Sequence, residues 1–270
     1  YSDPAPFPVF HLQAITHRRH PIYPAAVVGR PPQEDRAMGD ATQEIMRPLV
    51  RMVQPEVRDL WAYFEAGFHN LLVISVESRY TKEPIKTALG LLGNGQVSLT
   101  KCAILVDQDV NVRDFSSVLE QVRRFFRPEH DFLLLPKVPL DTLDFTSYQM
   151  HLGSKMVLDA THAGKSFDSE QVSLITTDPR ELCPNILDWR LMGDTLLVFQ
   201  IREGAREAIS RLQFSEEFRA LKMLIAISPD VDIQDQTSLL WGIFTRFDPA
   251  RDVQFPVMQM VGAAPVYRGT

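Results

Sequence analysis

The chain has 270 residues, 45% of them hydrophobic and 23% charged, with a formal net charge of −6. That is room for one large domain or two ordinary ones, and the mildly acidic balance argues against nucleic acid, whose binders need a basic face. Two cysteines, Cys102 and Cys183, make no disulfide framework and point to a reducing compartment, while no apolar run is long enough to cross a bilayer.

Residues 8–16 place Phe10, Leu12 and Ala14 on one face, the alternation of a half-buried strand. Proline-rich punctuation follows, ending in Gly29-Arg30-Pro31-Pro32. Met38, Ala41, Ile45, Leu49 and Met52 then recur at three- and four-residue steps, the stripe of an amphipathic helix that Pro48 should kink near Arg47. From residue 69 the rhythm changes. His69–Val76 reads as a strand, Pro84 opens a helix to about Leu92, and Cys102–Val106 is a continuous apolar strand covered on both faces. Asp114 is a good N-cap for a helix holding Phe115, Val118, Leu119, Val122 and Phe126, and Phe132–Leu135 is the next strand. Strands alternating with helices predict a mainly parallel α/β sheet. Residues 164–190 are polar and read as a linker or long loop. Beyond them come a strand at Leu196–Ile201, a helix at Ala205–Leu212, a strand at Leu221–Ile227 and a helix at Asp235–Thr245.

An offset of 121 residues carries Lys101 onto Lys222, Ile104 onto Ile225, Asp114 onto Asp235, Leu119 onto Leu240, Phe126 onto Phe247, Pro128 onto Pro249 and Asp131 onto Asp252. Punctuation and apolar face align together. This predicts two copies of one β-α-β unit, residues 101–135 and 222–256, with Asp114 and Asp235 as equivalent caps. The second copy is expected to be structural, with Trp241 and Phe244 exposed as a packing or subunit surface.

Several chemical patterns fail on inspection. Asp107-Gln-Asp109-Val-Asn111 begins like a calcium loop, but Val112 stands where a glycine must turn and Val118 where a bidentate Glu should sit. His17 and His20 would point to opposite faces of a strand end and lack a third ligand. The glycines of Leu92-Gly93-Asn94-Gly95-Gln96 follow a helix and precede a strand, the reverse of a phosphate loop. No nucleophile elbow and no G-x-G-x-x-G after a strand is visible, which disfavours a plain nucleotide-binding module. Residue patterns alone stop at an α/β protein.

Family resemblance adds more. Tyr1-Ser-Asp-Pro-Ala-Pro-Phe-Pro-Val-Phe, Ala14-Ile-Thr-His-Arg-Arg, Ile22-Tyr-Pro and Gly29-Arg-Pro-Pro-Gln-Glu-Asp resemble the stretch just after the active site of UbiD-type carboxy-lyases. Phe68-His-Asn-Leu, Leu99-Thr-Lys-Cys, Val106-Asp-Gln-Asp-Val, Leu140-Asp-Thr-Leu-Asp-Phe-Thr-Ser and Gly153-Ser-Lys-Met-Val-Leu-Asp-Ala-Thr resemble further family motifs in family order. Phe244-Thr-Arg-Phe-Asp-Pro-Ala-Arg-Asp echoes one again, as in a long subgroup with a duplicated C-terminal unit.

The resemblance implies the end of a split-barrel-like flavin-binding domain at 1–60, one α/β copy at 61–165, and a linker with a truncated second copy at 166–270. It implies part of a reversible, non-oxidative decarboxylase of aromatic or α,β-unsaturated acids, with a quinone precursor as a candidate substrate, using prenylated FMN, Mn2+ and K+. The family's Glu-Arg-Glu/Asp set and manganese ligands would precede Tyr1, so no catalytic or metal residue carries over and the chain alone is expected to be inactive. Both ends look cut from a longer protein. Met38, Ala41 and Thr42 resemble substrate-pocket residues, and Lys101 resembles a lysine that reaches the flavin phosphate, although open α/β sheets usually bind ligands at the opposite strand ends. A small aromatic acid as substrate, no nucleic acid, a cytoplasmic location and a homo-oligomer complete the expectation. The rival reading is a non-catalytic UbiD-like assembly subunit.

Overall fold

The structure is a computed structural model. It describes residues 4–25, 29–31, 33–147, 149–165 and 175–255, and two further strands at 257–261 and 264–268. Tyr1, Ser2 and Asp3 of the motif at the amino end lie outside the described residues.

Two α/β units follow a single helix. Helix α1 (Asp35–Val53) leads into β1 (Val57–Ala62), β2 (Leu71–Val76), α2 (Glu83–Leu92), β3 (Cys102–Asp107), α3 (Phe115–Phe125), α4 (Pro128–Asp131), β4 (Phe132–Val138) and β5 (Gly153–Asp159). After α5 (Pro179–Leu182) the second unit runs β6 (Ile186–Met192), β7 (Leu196–Ile201), α6 (Ala205–Gln213), β8 (Met223–Ile227), α7 (Gln236–Phe244), α8 (Pro249–Asp252), β9 (Val257–Val261) and β10 (Ala264–Arg268). The element order of the first unit repeats in the second. The duplication is therefore larger than the sequence offset suggests, because it includes the leading hairpin and its helix.

Local devices repeat as well. Both hairpins carry a register shift at the same place, between Val57 and Asp59 and between Ile186 and Asp188. Both following helices start from a left-handed residue, Lys82 with φ 67° and Gly204 with φ 76°. Asp114 accepts from the Ser116 amide and Asp235 from the Ser238 amide, each satisfying an orphan donor of its helix. Asp131 and Asp252 each close a four-residue turn by accepting from the amides of Arg127 and Asp248. The equivalent caps expected from sequence are present, while the second copy's fourth strand starts late, at Val257.

The centre of the main sheet is parallel, as expected, but β3-α3-β4 is not a parallel β-α-β unit. This first sheet has the order β1-β2-β3-β5-β4, with β2, β3 and β5 parallel and β1 and β4 antiparallel at the edges. Phe132–Leu135 thus forms part of an outer strand, and β5 inserts between it and β3. The second sheet has the order β6-β7-β8, and β9 and β10 form a separate antiparallel pair.

Strand alternation sorts the core into three layers. Leu72, Ile74, Ala103, Leu105 and Val157 face α2, with Ala88 and Leu91. Leu197, Phe199 and Ile201 face α6, with Ala208 and Leu212. Between the sheets, Val73, Ile104, Leu158, Val198 and Ile227 share one cluster with Val118, Leu119 and Val122 of α3 and Leu239, Leu240 and Phe244 of α7. The two copies share this central core.

Their contacts are reciprocal, as a two-fold relation requires. Helix α7 packs on the 3₁₀ turn Phe64–Ala66 after β1, and Thr195, in the turn after β6, donates its hydroxyl to the Leu119 carbonyl of α3 at 3.1 Å. Helix α8 packs on β4 and β5, and α4 packs on β10. Phe244 is buried in the shared core, and a Cβ on Gly67 would lie 3.4 Å from the Trp241 ring. Both aromatics serve contacts within the chain, which corrects their expected exposure.

Two other expectations differ, and the interruption that Pro48 could have caused is absent. Residues 8–16 adopt no regular element, and Phe10 and Leu12 are exposed. Their alternation is real, but among the described residues no strand pairs with them, and a strand needs a neighbour to satisfy its backbone. Helix α1 runs unbroken through Pro48, which removes the amide that would bond to Glu44. The polar 164–190 stretch ends in a strand, β6, whose half-exposed residues hid its pairing.

Glu56, buried at the start of β1, bonds to the Thr87 hydroxyl at 2.5 Å and pairs with Lys86. Burial alone would raise its pKa; the Lys86 and Thr87 contacts outweigh that and hold it at about 2. A depressed folded-state value stabilises the fold above the usual carboxylate range. That contribution is lost as pH falls from about 4.5 through about 2. Acid titrations followed by circular dichroism should show Glu56→Gln flattening this limb.

Candidate functional site

The candidate residues fall in two regions: the outer face of α1 and a polar centre at the amino ends of the parallel strands.

Helix α1 docks through its polar side. Gln43 accepts from the Ala62 amide at 2.6 Å and donates to its carbonyl at 3.3 Å. Arg47 reaches Asp59 at 2.8 Å, and Arg113, stacked on Trp61, joins Asp59 and Glu44 at 2.7 and 2.6 Å. A Cβ on Gly39 would fall 2.0 Å from the Phe68 ring, so only glycine admits that ring against the helix. The apolar stripe faces outward as a result. Met38, Ile45, Leu49 and Met52 are exposed, and so are Ala41 and Thr42, the latter donating to the Met38 carbonyl at 2.7 Å. Gly39→Leu should unseat α1, read as faster proteolysis at residues 53–57 with the two α/β units intact.

The polar centre is built by the segment Asp141–Ser147. Asx turns shape it: Asp141 accepts from the Leu143 amide at 3.0 Å and Asp144 from the Thr146 amide at 2.9 Å. Asp141 is thereby presented to His69, whose bond is the first cause holding the Asp141 carboxyl below its usual range. Asp144 is presented to Lys101, with Nζ 2.7 Å from Oδ2, and the Phe247 ring of the second copy lies 5.0 Å beneath that ammonium. Lys101 is 1% exposed and the Asp144 side chain 3%. Burial pushes the Lys101 pKa down, and Asp144 opposes it. Lys155, on the neighbouring strand, donates to the Ser98 and Thr100 carbonyls at 2.7 and 2.8 Å. Lys101 was singled out by family resemblance, whereas Asp144 was not foreseen as its partner. The only signal was two aspartates three residues apart, each followed two positions later by the residue whose amide it accepts.

Burial lowers Lys155 to about 8. The folded chain then holds fewer protons than the unfolded one between pH 8 and 10.5, so stability rises across that window. Lys155→Met should flatten the rise in urea midpoints measured from pH 7.5 to 10.

At the opposite strand ends, Lys82 lies 2.6 Å from Asp131 and 3.7 Å from Asp159, and Lys165 lies 3.0 Å from Asp131. Two lysines balance two carboxylates there, a staple between α2, α4 and β5. Among the described residues, no group of three or more His, Cys, Asp or Glu side chains could hold a metal ion. No helix among them is long and apolar enough to cross a membrane. Cys102 is buried, its thiol pushed up to about 12 by burial.

Comparison with known proteins gives this geometry a family. The family model described as the 3-octaprenyl-4-hydroxybenzoate carboxy-lyase C-terminal domain matches residues 36–160 and 185–265, and the Rift-related domain of the same carboxy-lyases matches residues 1–31. The chain belongs to the UbiD family. The first matched stretch covers α1 and the first structural copy, and the second covers most of the second copy. A Chlamydia pneumoniae relative, named as one of the subunits of a 4-hydroxybenzoate decarboxylase, is 36% identical over 94% of this chain and 42% of its own length. An uncharacterized Chlamydia muridarum protein is 33% identical over 99% of the chain and 45% of its own length. An uncharacterized Archaeoglobus fulgidus protein is 44% identical over 60% of the chain and 34% of its own. The chain thus spans less than half the length of these relatives. Among solved structures, the UbiD-class enzyme HmfF from Pelotomaculum thermopropionicum in complex with FMN is 23% identical, with a TM-score of 0.41 over 46% of this chain and 27% of that one.

Proposed function

We propose that this chain is the C-terminal portion of a UbiD-type carboxy-lyase that catalyses reversible, non-oxidative decarboxylation of an aromatic or α,β-unsaturated acid with prenylated FMN. The observation that carries the reading is the match of the UbiD C-terminal domain to both copies, joined to the match of the Rift-related domain at residues 1–31. The name of the Chlamydia pneumoniae relative supports a hydroxybenzoate-type substrate, and a quinone-precursor acid is the proposed member of that class.

The described residues do not assemble a flavin or metal site by themselves. They offer no metal cluster, and Lys101 is enclosed by Asp144 rather than open to a ligand. Manganese, potassium and the catalytic acids are proposed to be held by residues outside this chain, as the resemblance to UbiD-type carboxy-lyases implies. The division proposed is 1–60 as the end of a split-barrel-like flavin-binding domain, 61–165 as the first α/β copy and 166–270 as linker and second copy. Met38, Ala41 and Thr42 are proposed to border the substrate pocket, because they sit on the exposed stripe of α1. Lys101 is proposed as a flavin-phosphate contact that forms when Asp144 withdraws, since that carboxylate takes the place an anion would need. A homo-oligomer in the cytoplasm completes the proposal.

The test is CO2 release from a panel of hydroxybenzoate-type acids after reconstitution with prenylated FMN and manganese. The full-length protein should turn over, and the 270-residue chain should not. Turnover by the chain alone would overturn the assignment of the chemistry to the preceding part. In the full-length protein, Lys101→Ala should reduce flavin retained after dialysis by roughly ten-fold or more, the worth of one charge-assisted hydrogen bond. Unchanged retention would return Lys101 to a purely structural role.

A further inference from the structure

The two copies differ in one place that their other correspondences make conspicuous. In the first sheet the edge of β3 away from β2 is filled: Cys102, Ala103, Ile104 and Leu105 pair in parallel with Met156, Val157, Leu158 and Asp159 of β5, and β4 pairs antiparallel outside β5. In the second sheet β8 pairs with β7 through Met223–Ile227, and among the described residues no strand lies on its other side. An open strand edge presents a row of unpaired backbone donors and acceptors and invites another strand. A groove of about 1100 Å³ runs along that edge, lined by residues 221–228 without interruption, by Met156 and Leu158 of the first copy, and by Phe244 and Phe247 of α7.

The missing strand has a counterpart in the same chain. The β9–β10 hairpin follows α8 as β4 and β5 follow α4, and it is antiparallel like them. It also keeps half of its reciprocal seat: β10 packs on α4 as β5 packs on α8. What it lacks is the ladder to β8.

We propose that β10 adds in parallel to the open edge of β8, giving the second copy the five-stranded order β6-β7-β8-β10-β9 and closing the groove between the two sheets. The occupant is the hairpin of the same chain, because that hairpin already rests on α4 beside the groove. Only four residues, 253–256, separate it from α8. Pairing removes the exposed edge and satisfies the alternate backbone groups of Met223–Ile227 that β7 cannot reach.

Two measurements on the full-length protein test this. In the first, Ile225→Cys is combined in turn with Pro265→Cys, Val266→Cys and Tyr267→Cys in a Cys102→Ala, Cys183→Ala background. At least one pair should form a disulfide within one chain on mild oxidation, since adjacent strands bring Cα atoms within reach of a bridge. Links only between chains would mean that a second copy supplies the strand, and no links would mean that the edge stays open; either result overturns the proposal. The second measurement is hydrogen exchange. All amides of Met223–Ile227 should be protected, and Val266→Pro, which removes a ladder donor, should speed exchange at alternate amides by on the order of 100-fold while Cys102–Asp107 is unchanged. Alternate β8 amides that exchange freely in the unmodified protein would also overturn it.

Discussion

Lys101→Ala should lower the stability of the chain by about 3–5 kcal/mol, because it leaves the Asp144 carboxylate buried without its counter-charge. Asp144→Ala should cost a similar amount for the converse reason. The combined replacement Lys101→Met with Asp144→Leu should recover most of the loss, since a buried ion pair can often be exchanged for apolar side chains of similar volume at little net cost. Urea unfolding at pH 7.5 reads all three, as a fall in midpoint at constant slope. A double variant no better than the singles would show that the pair holds the 139–152 segment by more than charge. The same variants separate structure from chemistry: if Lys101 meets the flavin phosphate in the full-length enzyme, the double variant should fold well and still lose flavin.

Phe244→Ala should cost about 3–5 kcal/mol, the range for removing a buried aromatic ring. The size follows from location. The ring stands in the central cluster that the two copies share and meets Phe247 edge-on at a centroid distance of 6.2 Å. A surface aromatic waiting for a partner subunit would change stability by less than about 0.5 kcal/mol. Thermal or urea unfolding of the single variant distinguishes the two. A near-neutral result would mean that the copies associate weakly and that the reciprocal packing of α3 and α7 contributes little.

Much of this architecture was legible in the chain. Cys102–Val106 is apolar without interruption because β3 lies between β2 and β5 with helices on both faces, and such strands announce themselves. Asp114 and Asp235 were readable as caps because capping is a local rule, satisfied within three residues. The offset between Lys101 and Lys222 exposed the duplication because punctuation and apolar stripe had to be kept together in both copies.

The rest depends on partners distant in sequence. Strand β5 begins Gly153-Ser154-Lys155, and both polar residues are buried, Ser154 accepting from the Ala250 amide at 2.8 Å and Lys155 donating to two carbonyls. Their polarity concealed a central strand. Strand β1 reads as Val-Arg-Asp-Leu-Trp-Ala, whose Asp59 is explained by Arg47 and Arg113, twelve and fifty-four residues away. The outward face of α1 could be drawn from periodicity, but that its polar side would dock depends on Gly39 admitting Phe68. Asp144 was visible only as part of a motif; its contact with Lys101 is set by Asx turns that bring two distant segments together at the strand ends. Site residues of this kind are chosen by tertiary charge balance, which no local period encodes.

Carbon exchange tests the carboxy-lyase reading most directly, since a reversible decarboxylase must trade the carboxyl group of its acid with dissolved CO2. The full-length protein, reconstituted with prenylated FMN and manganese, would be incubated with each hydroxybenzoate-type acid and 13C-bicarbonate, and the recovered acid examined by mass spectrometry. Label in the carboxyl carbon of at least one acid, dependent on the flavin and absent with the 270-residue chain alone, is the expected result. No label in any acid with a fully flavin-loaded protein would contradict the carboxy-lyase assignment.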